Sequence, residues 1–188
     1  MKPRLIILAL ALIAGISFAG ARASGNPDKK QARAEKKLDA ARKVESLLDS
    51  KRYAFVPEKV LSELDRSRYI NLTSYYEFDV TPDLIVSLLP YYGKAYSNKY
   101  DRPDKLSALD FQSADFTYSK TGRPYGKEKA VIRIQTKNTT NDIQYQMVLE
   151  VFDNSSAILT VNSSMATDLV FRGRITEIPD ENPYIKSE

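Results

Sequence analysis

Four tyrosines, Tyr91, Tyr92, Tyr96 and Tyr100, fall within ten residues, with Gly93, Lys94 and Lys99 among them. A phenol ring offers a flat stacking face and a hydroxyl, so clustered tyrosine suits sugar rings or peptide backbones. Gly93 would let a ligand or another backbone come close. Tyr91, Tyr92, Gly93, Lys94, Tyr96 and Tyr100 are therefore the candidate ligand-binding residues. The competing reading is structural, with the rings lying over the sheet edge and sealing the core beneath a long loop.

Other chemistry is thin. The chain has no His, Cys or Trp. Without His there is no Ser-His-Asp triad and no imidazole base. Without Cys there is no thiolate nucleophile and no disulfide, and a zinc site loses its usual ligands. Asp101 and Asp104, with Asp110 nearby, could offer oxygens to calcium, but no Asp-x-Asp-x-Asp-Gly loop surrounds them. Glu77 and Asp79 alternate with apolar residues, which places them on the exposed face of one strand, opposite Arg133 or Arg172. A carboxylate dyad of Glu77 and Glu150 is the formal enzymatic alternative. Ser163-Ser164 has no Gly-x-Ser-x-Gly setting and reads as a turn. Asn71, Asn138, Asn154 and Asn162 sit in Asn-x-Ser/Thr triplets that carry little meaning by themselves. No catalytic residue, metal or cofactor is expected.

The first 23 residues read as an address. Lys2 and Arg4 precede an apolar run from Leu5 to Phe18, and Ala19-Gly20-Ala21-Arg22-Ala23 follows. This is the pattern of a bacterial secretory signal. Two A-x-A sites overlap, ending at Ala21 and Ala23, and cleavage after Ala23 leaves the smaller Ser24 first. The apolar run is short for a membrane span of roughly 20 residues, so no stable anchor is expected after processing. The remainder holds 25 bases and 24 acids. Residues 24–52 carry nine bases and five acids, and residues 53–188 carry 16 bases and 19 acids. An acidic body behind a basic helix gives no nucleic-acid footprint.

The elements that position these residues follow from periodicity. Of 188 residues, 43% are hydrophobic, enough for one cored domain. Asp28 is a candidate helix cap. Ala34, Leu38, Ala41, Val44 and Leu48 recur at spacings of three and four, predicting a helix from Lys30 to about Ser50 whose first half projects into solvent. Tyr53–Val56 reads as a short strand ended by Pro57, and Glu58–Leu64 as a helical turn. Glu77–Val80 alternates, and Leu84–Leu89 is apolar on both faces, which predicts a central strand. Tyr91–Ser107 is a long loop. Ser113–Ser119 reads as one strand with Ala114, Phe116 and Tyr118 inward. Lys129–Thr136, Ile143–Val151, Ala157–Ser163 and Leu169–Ile175 alternate cleanly and are separated by short turns, which makes them antiparallel neighbours. The expected fold is α+β: one N-terminal helix, then a meander-like, mostly antiparallel sheet of about seven to nine strands that is free to curve. The expected organisation is a signal peptide at 1–23, a polar lead-in and basic amphipathic helix at 24–50, one β-rich domain at 51–178, and a polar tail at 179–188.

Three segments carry a resemblance. They are Ile70-Asn71-Leu72-Thr73-Ser74-Tyr75-Tyr76, then Leu88-Leu89-Pro90-Tyr91-Tyr92-Gly93-Lys94-Ala95-Tyr96, and finally Thr160-Val161-Asn162-Ser163-Ser164 with Leu169-Val170-Phe171-Arg172-Gly173-Arg174-Ile175. In this order and spacing the chain resembles the DUF4251 family, a domain of unknown function found in small exported proteins of Bacteroidetes, over roughly residues 45–178. The family often has Arg where Lys94 stands. The resemblance implies export, one compact β-rich domain and a Gram-negative envelope setting. It implies no activity and no catalytic residues.

The resulting functional expectation is an exported, periplasmic or extracellular protein that works as a non-enzymatic binding or interaction module. Its partner would be an envelope protein, a glycan or a small ligand. The alternatives are a carrier or sensor of a small hydrophobic or glycan ligand held under a curved sheet and, last, a carboxylate-based hydrolase.

Overall fold

The computed structural model describes residues 27–62, 65–92, 109–125, 128–138, 143–163 and 166–178. The segments expected as a signal peptide and a polar tail lie outside them.

The helix α1 runs Pro27–Ser50, starting ahead of Lys30. Proline lacks only an N–H that a first helical turn leaves unpaired anyway, so Asp28 falls inside the first turn instead of capping it. Residues 29–37 are exposed on every side, because alanines and charges there offer no apolar stripe. The last turns dock: Ala41, Val44 and Leu48 are buried, and Leu47 packs beside them. Three ion pairs surround the docked end, Arg123–Glu45 at 3.4 Å, Lys43–Glu177 at 3.1 Å, and Lys120–Asp49. Exposed pairs contribute about 1 kcal/mol at most, whereas each buried Val or Leu side chain contributes about 1.5–3 kcal/mol. Apolar docking therefore decides where α1 sits. The helix ends at Lys51, which takes a left-handed φ of 52° and places its ammonium 5.0 Å from the Tyr118 ring centroid.

Ten strands follow: β1 Tyr53–Ser62, β2 Asp65–Asn71, β3 Glu77–Val80, β4 Ile85–Leu88, β5 Asp110–Ser113, β6 Phe116–Thr121, β7 Ala130–Asn138, β8 Ile143–Val151, β9 Ser156–Ser163 and β10 Ala166–Thr176. They form one antiparallel sheet in the order β5-β4-β3-β1-β10-β9-β8-β7-β6, with β2 beside β1. The sheet curls until its first and last strands meet. Those two strands, β5 and β6, are joined by Ala114 and Asp115 alone. The hydroxyls of Ser113 and Thr136 both donate to the Asp115 carbonyl, at 3.0 and 3.4 Å, and pin this corner. The result is a nearly closed barrel. Tyr53, Phe55, Phe78, Tyr145, Phe171 and Leu149 fill its interior, and the rings of Phe111 and Tyr145 stack at 5.2 Å.

Four expectations need correcting. Pro57 does not end β1, and Glu58–Ser62 is strand, not a helical turn. On one side, β1 pairs β3 through Tyr53–Phe55 and β2 through Lys59–Ser62, so Pro57 lies between two partners, where no N–H is required. On the other side the register against β10 shifts between Pro57 and Lys59. Gly173 opposes this bulge so closely that a Cβ there would lie 2.0 Å from the Val56 carbonyl oxygen. Second, the stretch expected as one strand over Ser113–Ser119 breaks at the corner. Ala114 is exposed, while Phe116 and Tyr118 pack on the core as expected. Third, β4 is second from the end of the sheet order, not central, although Ile85 and Val86, on its opposite faces, are both buried. Fourth, Ser163 closes β9, in line with the strand reading of Ala157–Ser163 and against the turn reading of Ser163-Ser164.

Candidate functional site

Tyr91 and Tyr92 follow β4. Tyr91 packs half-buried against the core, and the Thr167 backbone N–H donates to its hydroxyl at 3.2 Å. Together with Leu109, Tyr145, Val161, Ser163, Thr167 and Leu169 it surrounds a void of about 10 Å³. That is scarcely room for one water. Tyr91 therefore closes the rim of the core. Tyr92 is 42% exposed. Gly93, Lys94, Tyr96 and Tyr100 lie outside the described residues, as do Asp101 and Asp104.

The acids of β3 are not on a solvated face. Glu77 and Asp79 are 1% and 0% exposed. Ala54, Asp79 and Val86 form one cross-strand row on the side away from the barrel interior, and all three are buried. The Tyr75 hydroxyl donates to Glu77. The expected arginine partners are engaged elsewhere. Arg133 donates to the Thr121 hydroxyl at 3.5 Å, and Arg172 lies 4.6 Å from the Tyr69 ring centroid. Glu150, on β8, is paired with Lys129, and three strands separate it from Glu77 in the sheet order. The two carboxylates make no dyad. Among the described residues no group of three or more Asp or Glu could hold a metal ion, and no helix is long and apolar enough to cross a membrane.

A second place has the geometry of a site. On the outer face of β6–β10, register lines up Thr117 with Gln135, Gln135 with Gln146, and Gln146 with Asn162. The Asn162 amide donates to Asp168 of β10 at 2.9 Å, which extends the row to a fifth strand. Lys137 and Gln144 flank it as the next outward pair. These residues, together with Phe116, Thr136, Tyr145 and Ser163 of the inward alternation, line a groove of about 610 Å³ that wraps the end of the sheet where β6 begins and β9 ends. That volume lies within the usual range of ligand sites. No other described residue hydrogen-bonds the side chains of Gln135, Gln144 and Gln146, although Gln135, Gln144 and Gln146 are all exposed. The row thus presents free amide donors and acceptors in a concave setting.

Sequence reading missed this row. The available signal was chemical. Outward positions of the same strands carry charge at Arg133, Glu150 and Arg172, but uncharged amides at Gln135, Gln144, Gln146 and Asn162.

The model of one family, a domain of unknown function (DUF4251), matches residues 35–175. The chain belongs to this family. The match takes in every strand of the barrel up to Ile175 and the docked half of α1, so the DUF4251 domain is the barrel with its docked helix. A search of curated proteins found no match.

Proposed function

We propose that this DUF4251 chain is an exported, periplasmic binding module that performs no covalent chemistry, and that it binds through the groove beside the amide row. One contrast carries the reading. Among the described residues the barrel interior is packed by aromatic and aliphatic side chains, with a void of about 10 Å³ beneath Tyr91, while about 610 Å³ lies open beside the unbonded amides of Gln135, Gln144 and Gln146. Among the described residues the void beneath Tyr91 is too small for a hydrophobic ligand, which favours the groove over a carrier's cavity. The absence of His and Cys from the whole chain removes the commonest nucleophile and base pairings. Export is supported by the signal-like segment from Met1 to Ala23.

The test begins with the full chain expressed in a Gram-negative host. Mass spectrometry of the periplasmic fraction should find a chain beginning at Ser24, and retention of uncut protein in the cytoplasm rejects export. Native mass spectrometry of the same material should show an added mass that is lost on denaturation. That mass should also be absent from a variant carrying Gln135→Ala and Gln146→Ala. If the variant keeps the added mass, binding lies elsewhere.

A further inference from the structure

We infer that the groove takes a neutral oligosaccharide, laid across strands β6–β10 and held by the amides of Gln135, Gln146 and Asn162. This rests on reading the groove as the binding site.

The first support is hydrogen-bond type. A primary amide offers two donors and one acceptor oxygen, and a sugar hydroxyl both donates and accepts. Two free glutamine amides in the row, Gln135 and Gln146, with Gln144 beside them, satisfy neighbouring hydroxyls without carrying charge. The Asn162 amide is held by Asp168, so its orientation is set before a ligand arrives. The remaining lone pairs of that carboxylate accept further hydroxyls. The second support is charge. Lys137 and Asp168 are the site's cation and acceptor anion, and Asp115 lies at its end, so no large field of one sign selects an ion.

The third support is direction and length. The row runs across the strands, one residue per strand, at about 4.8 Å per step. Four steps span about 19 Å, which suits a chain of several sugar rings better than one ring. An extended peptide, by contrast, gains most of its affinity from an open strand edge. The groove floor lies on β7, β8 and β9, each already paired on both sides. A ligand there meets side chains only, so it must bring its own dense array of polar groups. Phe116, half-buried at one end, supplies an apolar flank for the C–H face of a ring.

The experiment is a 15N NMR titration of residues 24–188 with maltohexaose, cellohexaose, mannohexaose and xylohexaose, each run separately. A capped hexapeptide and an oligogalacturonate serve as comparators. At least one neutral hexasaccharide should shift the side-chain amide signals of Gln135, Gln146 and Asn162 saturably, and its trisaccharide should bind more weakly. Gln135→Ala with Gln146→Ala should lower that affinity roughly tenfold or more, as expected for two lost hydrogen bonds. The inference is overturned if none of the four moves those signals, or if the double variant binds the sugar as well as the parent. Shifts of the same amides by the peptide or the galacturonate alone would sink the sugar assignment and leave the groove as a binding site. A ligand mass retained by the double variant would sink both.

Discussion

On β8, Ile143, Tyr145, Met147, Leu149 and Val151 point into the barrel and are buried, whereas Gln144 and Gln146 point outward and are exposed. The same alternation that builds the core leaves the opposite side free of any packing duty. Inside, every position is constrained by volume, because interiors are as dense as organic crystals. Outside, a residue can be chosen for its hydrogen bonds. The free amides gather on that unconstrained side, at the end of the sheet where β6 begins and β9 ends. The difference teaches where each kind of substitution will be felt.

The largest effect should come from the interior. Phe171→Ala removes a fully buried ring and should cost about 3–5 kcal/mol in urea unfolding. A loss below 1 kcal/mol would mean that the barrel is not packed as described. Next comes alkaline pH. Burial, and then the neighbouring Tyr118, push the Tyr53 hydroxyl well above the usual tyrosine value, and burial also raises Tyr118. In the unfolded chain these phenols ionise near pH 10. Above that pH the unfolded state sheds protons that the folded state keeps. The stabilisation is therefore complete below about pH 10 and is lost as pH rises toward the folded values. Denaturation midpoints measured from pH 9 to 11.5 should fall, and Tyr53→Phe should flatten the fall. Tyr118 donates to the Leu48 carbonyl at 3.4 Å, so that variant leaves no donor stranded.

At the rim, Tyr91→Phe deletes the acceptor for the Thr167 N–H and should cost about 1–3 kcal/mol. A neutral result would show that water replaces the hydroxyl. On the outer face, Arg172→Ala loses its contact with Tyr69 and should cost about 0.5–1 kcal/mol. Smallest of all, Gln135→Ala and Gln146→Ala should each change stability by about 0.5 kcal/mol or less. A larger loss would give the amide row a structural role and erase the contrast between the two faces.

Much of the barrel was legible, because β7 to β10 alternate so regularly that hairpin pairing follows from the pattern. The family resemblance carried by the segments around Leu89-Pro90-Tyr91 and Leu169–Ile175 was legible too, and the family match agrees with it. The path of β1 was not. Pro57 signals a strand end wherever both neighbours need its N–H, and only the exchange of β3 for β2 removes that need. The corner at Ala114 and Asp115 carries no glycine or proline to announce it. The alternation of β3 correctly put Phe78 and Val80 inside but could not tell that the other side is also covered, so Glu77 and Asp79 were expected in solvent. The amide row was hidden for a different reason. Gln135, Gln146 and Asn162 stand 11 and 16 residues apart, and only register brings them side by side. The tyrosine segment drew attention by composition; of its two described members, Tyr91 is tied into the rim and Tyr92 is exposed.

The two-residue join between β5 and β6 has a consequence for the life of the protein among other proteins. A strand at the border of a sheet exposes unpaired backbone groups that can recruit another chain and seed aggregates. Here both border strands grow from the same corner and are held together there, with Ser113 and Thr136 fastening it. The corner thus keeps the two borders side by side. Loosening that corner, for example with Thr136→Val and Ser113→Ala together, should show first as a lower concentration threshold for self-association, before any loss of the folded signal.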